Sequence, residues 1–267
     1  MIRGSKRRQG AGHLGEGRGK RIRQLASPRQ NEVSRAMTAR GPNALFILTV
    51  LFSVTAGCAF GQRQSFANVQ VAVTHRGTTT IALAAHDRRP YVVDGEKSPT
   101  YVGTQRGGFG NPFDVTTKSD APLATEFAVV LRRALSAMGY KVSTVGTQPS
   151  RTRAQVATAL AQTGAKRLIL LTVNEWATDT YNSTDLSYYL TLEVLDSSGR
   201  VLARSAVKGE DRLGMSLFDP QAVAREAAPQ ALQAKLGDLI NDAKVEAAVK
   251  DTGPPAAVPQ QPEDTLQ

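Results

Sequence analysis

Residues 167–173 read Arg-Leu-Ile-Leu-Leu-Thr-Val, an almost unbroken apolar run. Such a run suits a strand covered on both faces, because a half-exposed strand would alternate. Outward from it the chain takes up two different rhythms. On the C-terminal side Leu186, Tyr188, Leu190, Leu192 and Val194 mark one face of a strand by period-two alternation. Asp196-Ser197-Ser198-Gly199 supplies turn chemistry, and Val201, Ala203, Ser205 and Val207 return as the next strand. Trp176, Tyr181, Tyr188 and Tyr189 gather around the first of these hairpins. Cross-strand packing and stacking against a sugar or base are the two readings of that group.

On the N-terminal side the rhythm is helical. Leu123, Phe127, Val130, Leu131, Ala134, Leu135 and Met138 form one apolar stripe, with Arg132 and Arg133 outside it. Gly139 stands where a helix takes a left-handed cap. A short strand over Lys141–Val145 follows, then an alanine-rich helix from about Thr152 to Gln162, stopped by Gly164. Earlier in the chain, Thr79–Ala85 reads as the first core strand. Pro220 opens a last long helix whose stripe includes Leu232, Leu236, Leu239 and Ile240 and ends near Val249. The order β-α-β-α-β-β-β-α predicts an α/β (α+β) single domain over residues 79–249, a small mixed sheet with helices mainly on one face. The Pro-rich tail 250–267 has no apolar period and is expected to be disordered.

The chain of 267 residues carries a formal net charge of +10, but that charge is not spread evenly. Residues 1–43 hold 11 Lys+Arg against 2 Asp+Glu, and the remainder holds 22 against 21. A nucleic-acid-binding domain would be basic where it is folded, so nucleic acid is not an expected partner. Residues 1–36 read as a basic disordered extension. Three origins stand for it: a strip lying against anionic membrane, a nucleic-acid arm, or residues upstream of a start at Met37. From Met37 a positive Arg40 precedes 14 uncharged residues, 44–57. That span is shorter than the roughly 20 residues a membrane-crossing helix needs.

A positive start, an apolar middle and a small-residue end are the parts of an export signal, assigned to residues 37–57. The end is Thr55-Ala56-Gly57-Cys58, and Cys58 is the single cysteine of the chain. The run resembles the lipobox of bacterial lipoproteins, with Thr55 in place of the usual Leu. Acylation of Cys58 would make the membrane a permanent partner. Ala59, in place of the Asp that commonly retains lipoproteins at the inner membrane, points to the periplasmic face of the outer membrane. Residues 58–78 then read as a tether, with an edge strand over Val69–Val73.

Signal, Ala-Gly-Cys, a strand ending near Asp87-Arg88-Arg89, a helix ending Met138-Gly139-Tyr140, a three-strand meander and a closing helix together resemble the YajG-like bacterial lipoproteins. The likeness spans about Thr79 to Val249. More distantly, the chain is similar to the auxiliary lipoproteins of ABC transporters that move lipids between membranes. The resemblance implies a small α/β envelope domain and brings no catalytic residue with it.

The insert 87–122 is where the domain has room for a ligand, because loops of that length in compact domains are usually functional or disordered. Arg88, Arg89 and Arg106, with the amides near Gly107, Gly108 and Gly110, form a candidate anion cradle. Phe109 and Asn111 are further candidates for ligand or partner contact. The competing reading makes Phe109 and Phe113 plugs at the sheet edge. The glycines lack a following Lys-Ser/Thr and a third, correctly spaced glycine, so no nucleotide cofactor is expected. One cysteine and three histidines exclude a multi-cysteine or His-rich metal cluster. His86 beside Asp87 admits a hydrolase of envelope polymers, yet no Gly-x-Ser-x-Gly elbow is present and the lone thiol belongs to the anchor. The sequence therefore predicts a non-enzymatic, lipid-anchored envelope accessory or binding module whose partner is an envelope protein, a lipid or a glycan. A component of a lipid or glycan transport system is the rival reading.

Overall fold

The computed structural model describes residues 62–250; Cys58, the stretch 37–57 read as an export signal, the basic extension and the Pro-rich tail from residue 251 lie outside the described residues. The elements run β1 Arg63–Gln64, β2 Thr80–Asp87, α1 Pro90–Val93, β3 Tyr101–Arg106, β4 Pro112–Thr117, α2 Leu123–Ala137 and β5 Lys141–Thr144. They continue α3 Arg153–Ala161, β6 Arg167–Thr180, β7 Ser183–Asp196, β8 Val201–Met215, α4 Pro220–Ile240 and α5 Ala243–Lys250. The predicted series is present in order. A hairpin (β3 and β4), two short elements (β1 and α1) and a divided last helix are added to it.

β6 is the spine of one mixed sheet. Along one edge it pairs antiparallel with β7 over its whole length, and β8 lies beyond β7. Its other edge is shared by two parallel partners. β2 occupies it from Arg167 to Val173, and β3 occupies it from Thr178 to Thr180. β5 flanks β2, while β4 and then β1 flank β3. The β6–β7 register slips between Val173 and Glu175, at the level where one partner gives way to the other. Bulges of this kind turn a strand and re-aim its side chains.

The central strands are apolar on both faces because both are covered. Ile81, Leu83, Ala85, Ile169, Leu171 and Val173 join the core formed with α2, α4 and α5. Ala82, Ala84, Leu168 and Leu170 pack against Val156 and Leu160 of α3 on the other face. Leu186, Leu190, Leu192 and Val194 of β7 are buried in the larger core, as their alternation predicts. The predicted α2 stripe is buried from Leu123 to Leu135, Met138 is partly buried at the cap, and Gly139 takes the left-handed conformation at φ +95°.

Three expectations are corrected. The first concerns the tether, of which residues 62–78 belong to the domain. Phe66, Val69, Val71, Val73 and His75 are buried. Phe66 meets Phe127 edge-on at 5.7 Å, and Phe127 meets Trp176 at 5.0 Å, so an aromatic column joins this segment to α2 and β6. Val69–Val73 alternates as expected but packs on the core without entering the sheet. The Ile240 carbonyl only accepts, so His75 Nε2 carries the proton (3.2 Å) and Nδ1 accepts from the Tyr140 hydroxyl (2.7 Å).

The second concerns the insert 87–122, which is α1, β3 and β4 rather than a loop. The third concerns the last helix, which breaks at Asn241. Its side chain bonds the Thr74 amide and hydroxyl and the Ala72 carbonyl, holding the buried segment across the gap before α5.

The β3–β6 contact depends on a missing side chain. A Cβ at Gly103 would overlap the backbone and hydroxyl of Thr178. Gly103→Ala is expected to cost about 1–3 kcal/mol of stability, typical of overpacking, read as a lowered urea midpoint at unchanged slope.

Candidate functional site

The site is built by a mismatch of lengths. α3 has nine residues, about 14 Å of helix, whereas the 14-residue β6 extends roughly 46 Å. The helix therefore covers only the apolar part of its sheet face. Past it the same face turns polar, in register: His86 of β2 pairs with Thr172 of β6, which pairs with Thr191 of β7. Glu193, two residues along the same face of β7, stands opposite Arg204 of β8. These residues, with Asn174, Arg88 and Arg153, line a cavity of about 370 Å³.

Arg153 is delivered by the first turn of α3, which Thr152 and Gln155 fix through a capping box. Its Nε donates to Glu193 Oε2 at 2.8 Å. Arg88 donates from Nη1 to the Pro149 carbonyl at 3.1 Å and has no carboxylate partner among the described residues. Three guanidinium groups therefore face one carboxylate. His86 is 1 % exposed, and its Nε2 is buried with no hydrogen-bond partner among the described residues. Burial, with Arg88 beside it, lowers the His86 pKa from its ordinary 6.5. The Arg151 and Gln148 carbonyls and the Asp87 carboxylate pull the other way. The three arginines suit an anion, and the unmet imidazole nitrogen suits a hydroxyl donor while neutral and an anion once it is protonated.

The structure separates the residues of the predicted anion cradle. Only Arg88 lines this cavity. Arg89 is 0 % exposed, and its five N–H donors are all taken. Nε and Nη2 grip Asp87 at 2.9 and 2.7 Å; the remaining donors reach the carbonyls of Tyr101 (2.6 Å), Trp176 (3.3 Å) and Pro99 (3.3 Å). The assignment of Arg89 to an anion is thereby corrected, since it has no donor left to offer. Arg106 forms a bidentate pair with Asp179 at the far end of the hairpin.

Gly107, Gly108, Phe109 and Asn111 make the β3–β4 turn. There the Gly107 amide bonds the Asn111 carbonyl (2.9 Å) and the Gly110 amide bonds the Gly107 carbonyl (2.8 Å). Phe109 plugs nothing; it is fully exposed. Trp176 is core, whereas Tyr181 stands exposed in the β6–β7 turn.

No protein-family model and no curated protein matches the sequence. Among solved structures the chain is similar to a DUF330-family protein from Xanthomonas campestris (13% identity, 70% of this chain, 93% of that one, TM-score 0.41). It is also similar to PelC from Paraburkholderia phytofirmans (13% identity, 66% and 93%, TM-score 0.37). A third is the lipoprotein GNA1162 from Neisseria meningitidis (12% identity, 57% and 97%, TM-score 0.24). Bacterial lipoproteins are thus among the structures it resembles.

Arg153, Glu193 and Arg204 were not singled out by sequence. The available signal was Thr191 and Glu193 alternating with Leu190, Leu192 and Val194; a polar second face reads as solvent-facing until the strands are aligned. The arginines' different work is separable by mutation. Arg89→Leu strands a buried carboxylate and three carbonyls and is expected to cost about 3–5 kcal/mol. Arg88→Ala should leave the urea midpoint nearly unchanged. The pH dependence has a definite sign. His86 and His75 both have lowered pKa values, burial being the largest cause. The unfolded chain therefore binds more protons, and stability complete above pH 6.5 declines as pH falls below it. Melting midpoints should drop from about pH 7 to about pH 5, and His86→Gln should flatten part of that slope.

Proposed function

We propose that this chain is a non-enzymatic, lipid-anchored envelope binding module that takes an anionic group, a carboxylate or a phosphate, into the His86–Arg88–Arg153–Arg204 cavity. The observation that carries the reading is a cavity lined by three guanidinium groups and a single carboxylate, with His86 in its wall. Planar guanidinium groups offer two parallel donors each, which matches carboxylate and phosphate oxygens.

The anchor is supported by the apolar stretch 44–57 ending in Thr55-Ala56-Gly57-Cys58. Placement at the outer membrane rests on Ala59. Kinship with the YajG-like lipoproteins rests on element order and on the Ala-Gly-Cys run. A binding role is favoured over hydrolysis by the site itself: Asp87, the carboxylate next to His86 in sequence, is committed to Arg89 on the opposite face and does not orient the imidazole.

Titration of the protein with inorganic phosphate and with a sugar carboxylate, glucuronate, tests the ligand class. At least one should bind, more tightly as pH falls, because a bound anion favours protonated His86. Arg88→Ala with Arg204→Ala should weaken binding about tenfold or more, equivalent to about 1.4 kcal/mol. Unchanged affinity in that variant rejects the site. Cys58→Ala should release the chain from the membrane fraction, and persistent tight association rejects the anchor.

A further inference from the structure

Six large apolar side chains are exposed among the described residues, and five of them stand at one end of the sheet. β3 runs parallel to β6, so the β3–β4 turn bearing Phe109 lies at the end where β6 finishes. Tyr181 occupies the β6–β7 turn there, and its hydroxyl reaches the Gly108 carbonyl at 3.4 Å. β8 arrives at the same end, with Met215 opposite Ser183. Leu217 and Phe218 follow immediately, at 75 % and 100 % exposure. Loop tips are ordinarily polar, because an apolar side chain in water is uncompensated. Three adjacent connections here each present a large apolar group instead.

The charged residues bordering this end are already neutralised in pairs. Arg106 holds Asp179, Arg212 holds Asp185, and Arg225 lies 3.7 Å from Asp219. The border therefore offers no single-sign field to a charged protein partner. It offers instead an apolar point inside a ring of compensated charge.

The position of the chain's start selects the occupant. β1 runs parallel to the last residues of β4, Arg63 opposite Thr116, so its direction is away from the end of the sheet that bears the Phe109 turn. Gln62 bonds Gln221 in the first turn of α4 and accepts from Arg225. Pro220, the first residue of that helix, follows Phe218 by two positions. Cys58 precedes Gln62 by four residues, a reach of at most roughly 14 Å. An acyl chain on Cys58 would therefore begin within that reach of Gln62, which bonds the first turn of α4 next to Phe218.

We infer that the end of the sheet bearing Phe109, Tyr181, Met215, Leu217 and Phe218 seats in the interface of the lipid bilayer that holds Cys58. The inference rests on the anchoring reading proposed above and adds an orientation to it. The long axis of β6–β8 stands away from the membrane, with the β7–β8 turn at Ser197 farthest from it. The tip residues enter the headgroup layer, where aromatic and aliphatic groups are stable beside paired charges.

Labelling tests this, because acylation consumes the only native thiol. Phe218→Cys, Leu217→Cys and Phe109→Cys, and Ser197→Cys as the distal control, are each coupled to an environment-sensitive dye. The lipidated chain is then placed in vesicles of phosphatidylethanolamine and phosphatidylglycerol. The three tip labels should shift to the blue and be quenched by spin-labelled lipid, and the Ser197 label should do neither. Water-like emission at all four positions overturns the inference. So does a blue shift at the tip of a Cys58→Ser chain without vesicles, which would indicate a second copy or a protein partner. Intact mass decides acylation of Cys58 independently. If the thiol is unmodified, the anchor fails, and the same labels are read on the Cys58→Ser chain with vesicles added. Quenching at Phe218→Cys but not at Ser197→Cys then upholds the apolar tip as a membrane contact, and no quenching at either rejects it.

Discussion

The fold depends on what happens where β6 loses one neighbour and gains another. A strand edge between two partners exposes carbonyls that no ladder satisfies, and this gap lies in the interior. Arg89 fills it. Its guanidinium binds Asp87 at the last position of β2 and donates to carbonyls from the start of β3, the loop before it and β6. A buried ion pair usually gains little over an apolar pair, because desolvation offsets attraction. Here the pair also discharges three backbone acceptors, which no apolar residue of any shape would do. The β3–β4 hairpin joins the sheet through the short β3–β6 ladder, and Arg89 satisfies the carbonyls that this ladder leaves open beside it.

From the same junction follows the polarity of the opposite face. His86 and Arg88 flank Asp87 in sequence, so a strand's alternation sends them to the side that α3 leaves uncovered. The buried ion pair and the open cavity are consequently back to back. Asp87 and Arg89 serve the larger core, while His86 and Arg88 serve the cavity. This division explains how four consecutive residues, His86 to Arg89, can be half structural and half turned to the cavity.

Much of the architecture was legible because burial on both faces writes itself into composition. The runs at 79–85 and 167–173, the α2 stripe and the β7 alternation all declare their environment. The β3–β4 hairpin was not legible. Thr104, Gln105 and Arg106 carry no apolar period, and the hairpin pairs through its backbone along an edge left vacant by β2. The packing of residues 62–78 was signalled by Val69, Val71 and Val73, but alternation alone does not say whether such a segment joins a sheet or lies across a core. The division of the last helix at Asn241 was hidden as well, since Asn241 acts through partners about 170 positions earlier.

The sequence by itself determined the class of fold, the order of its central elements and the presence of an apolar stretch ending in a cysteine. Each of these is a local property, set by the spacing of apolar residues over ten or fifteen positions. Tertiary structure alone decided which arginine is buried and which is free, and that Arg153 and Arg204 join Arg88 from elements far along the chain. It alone gathered the exposed apolar tips at one end. A side chain's partners depend on strand register and helix length, and the residues that meet across a sheet are related by the path of the backbone, not by their separation along it.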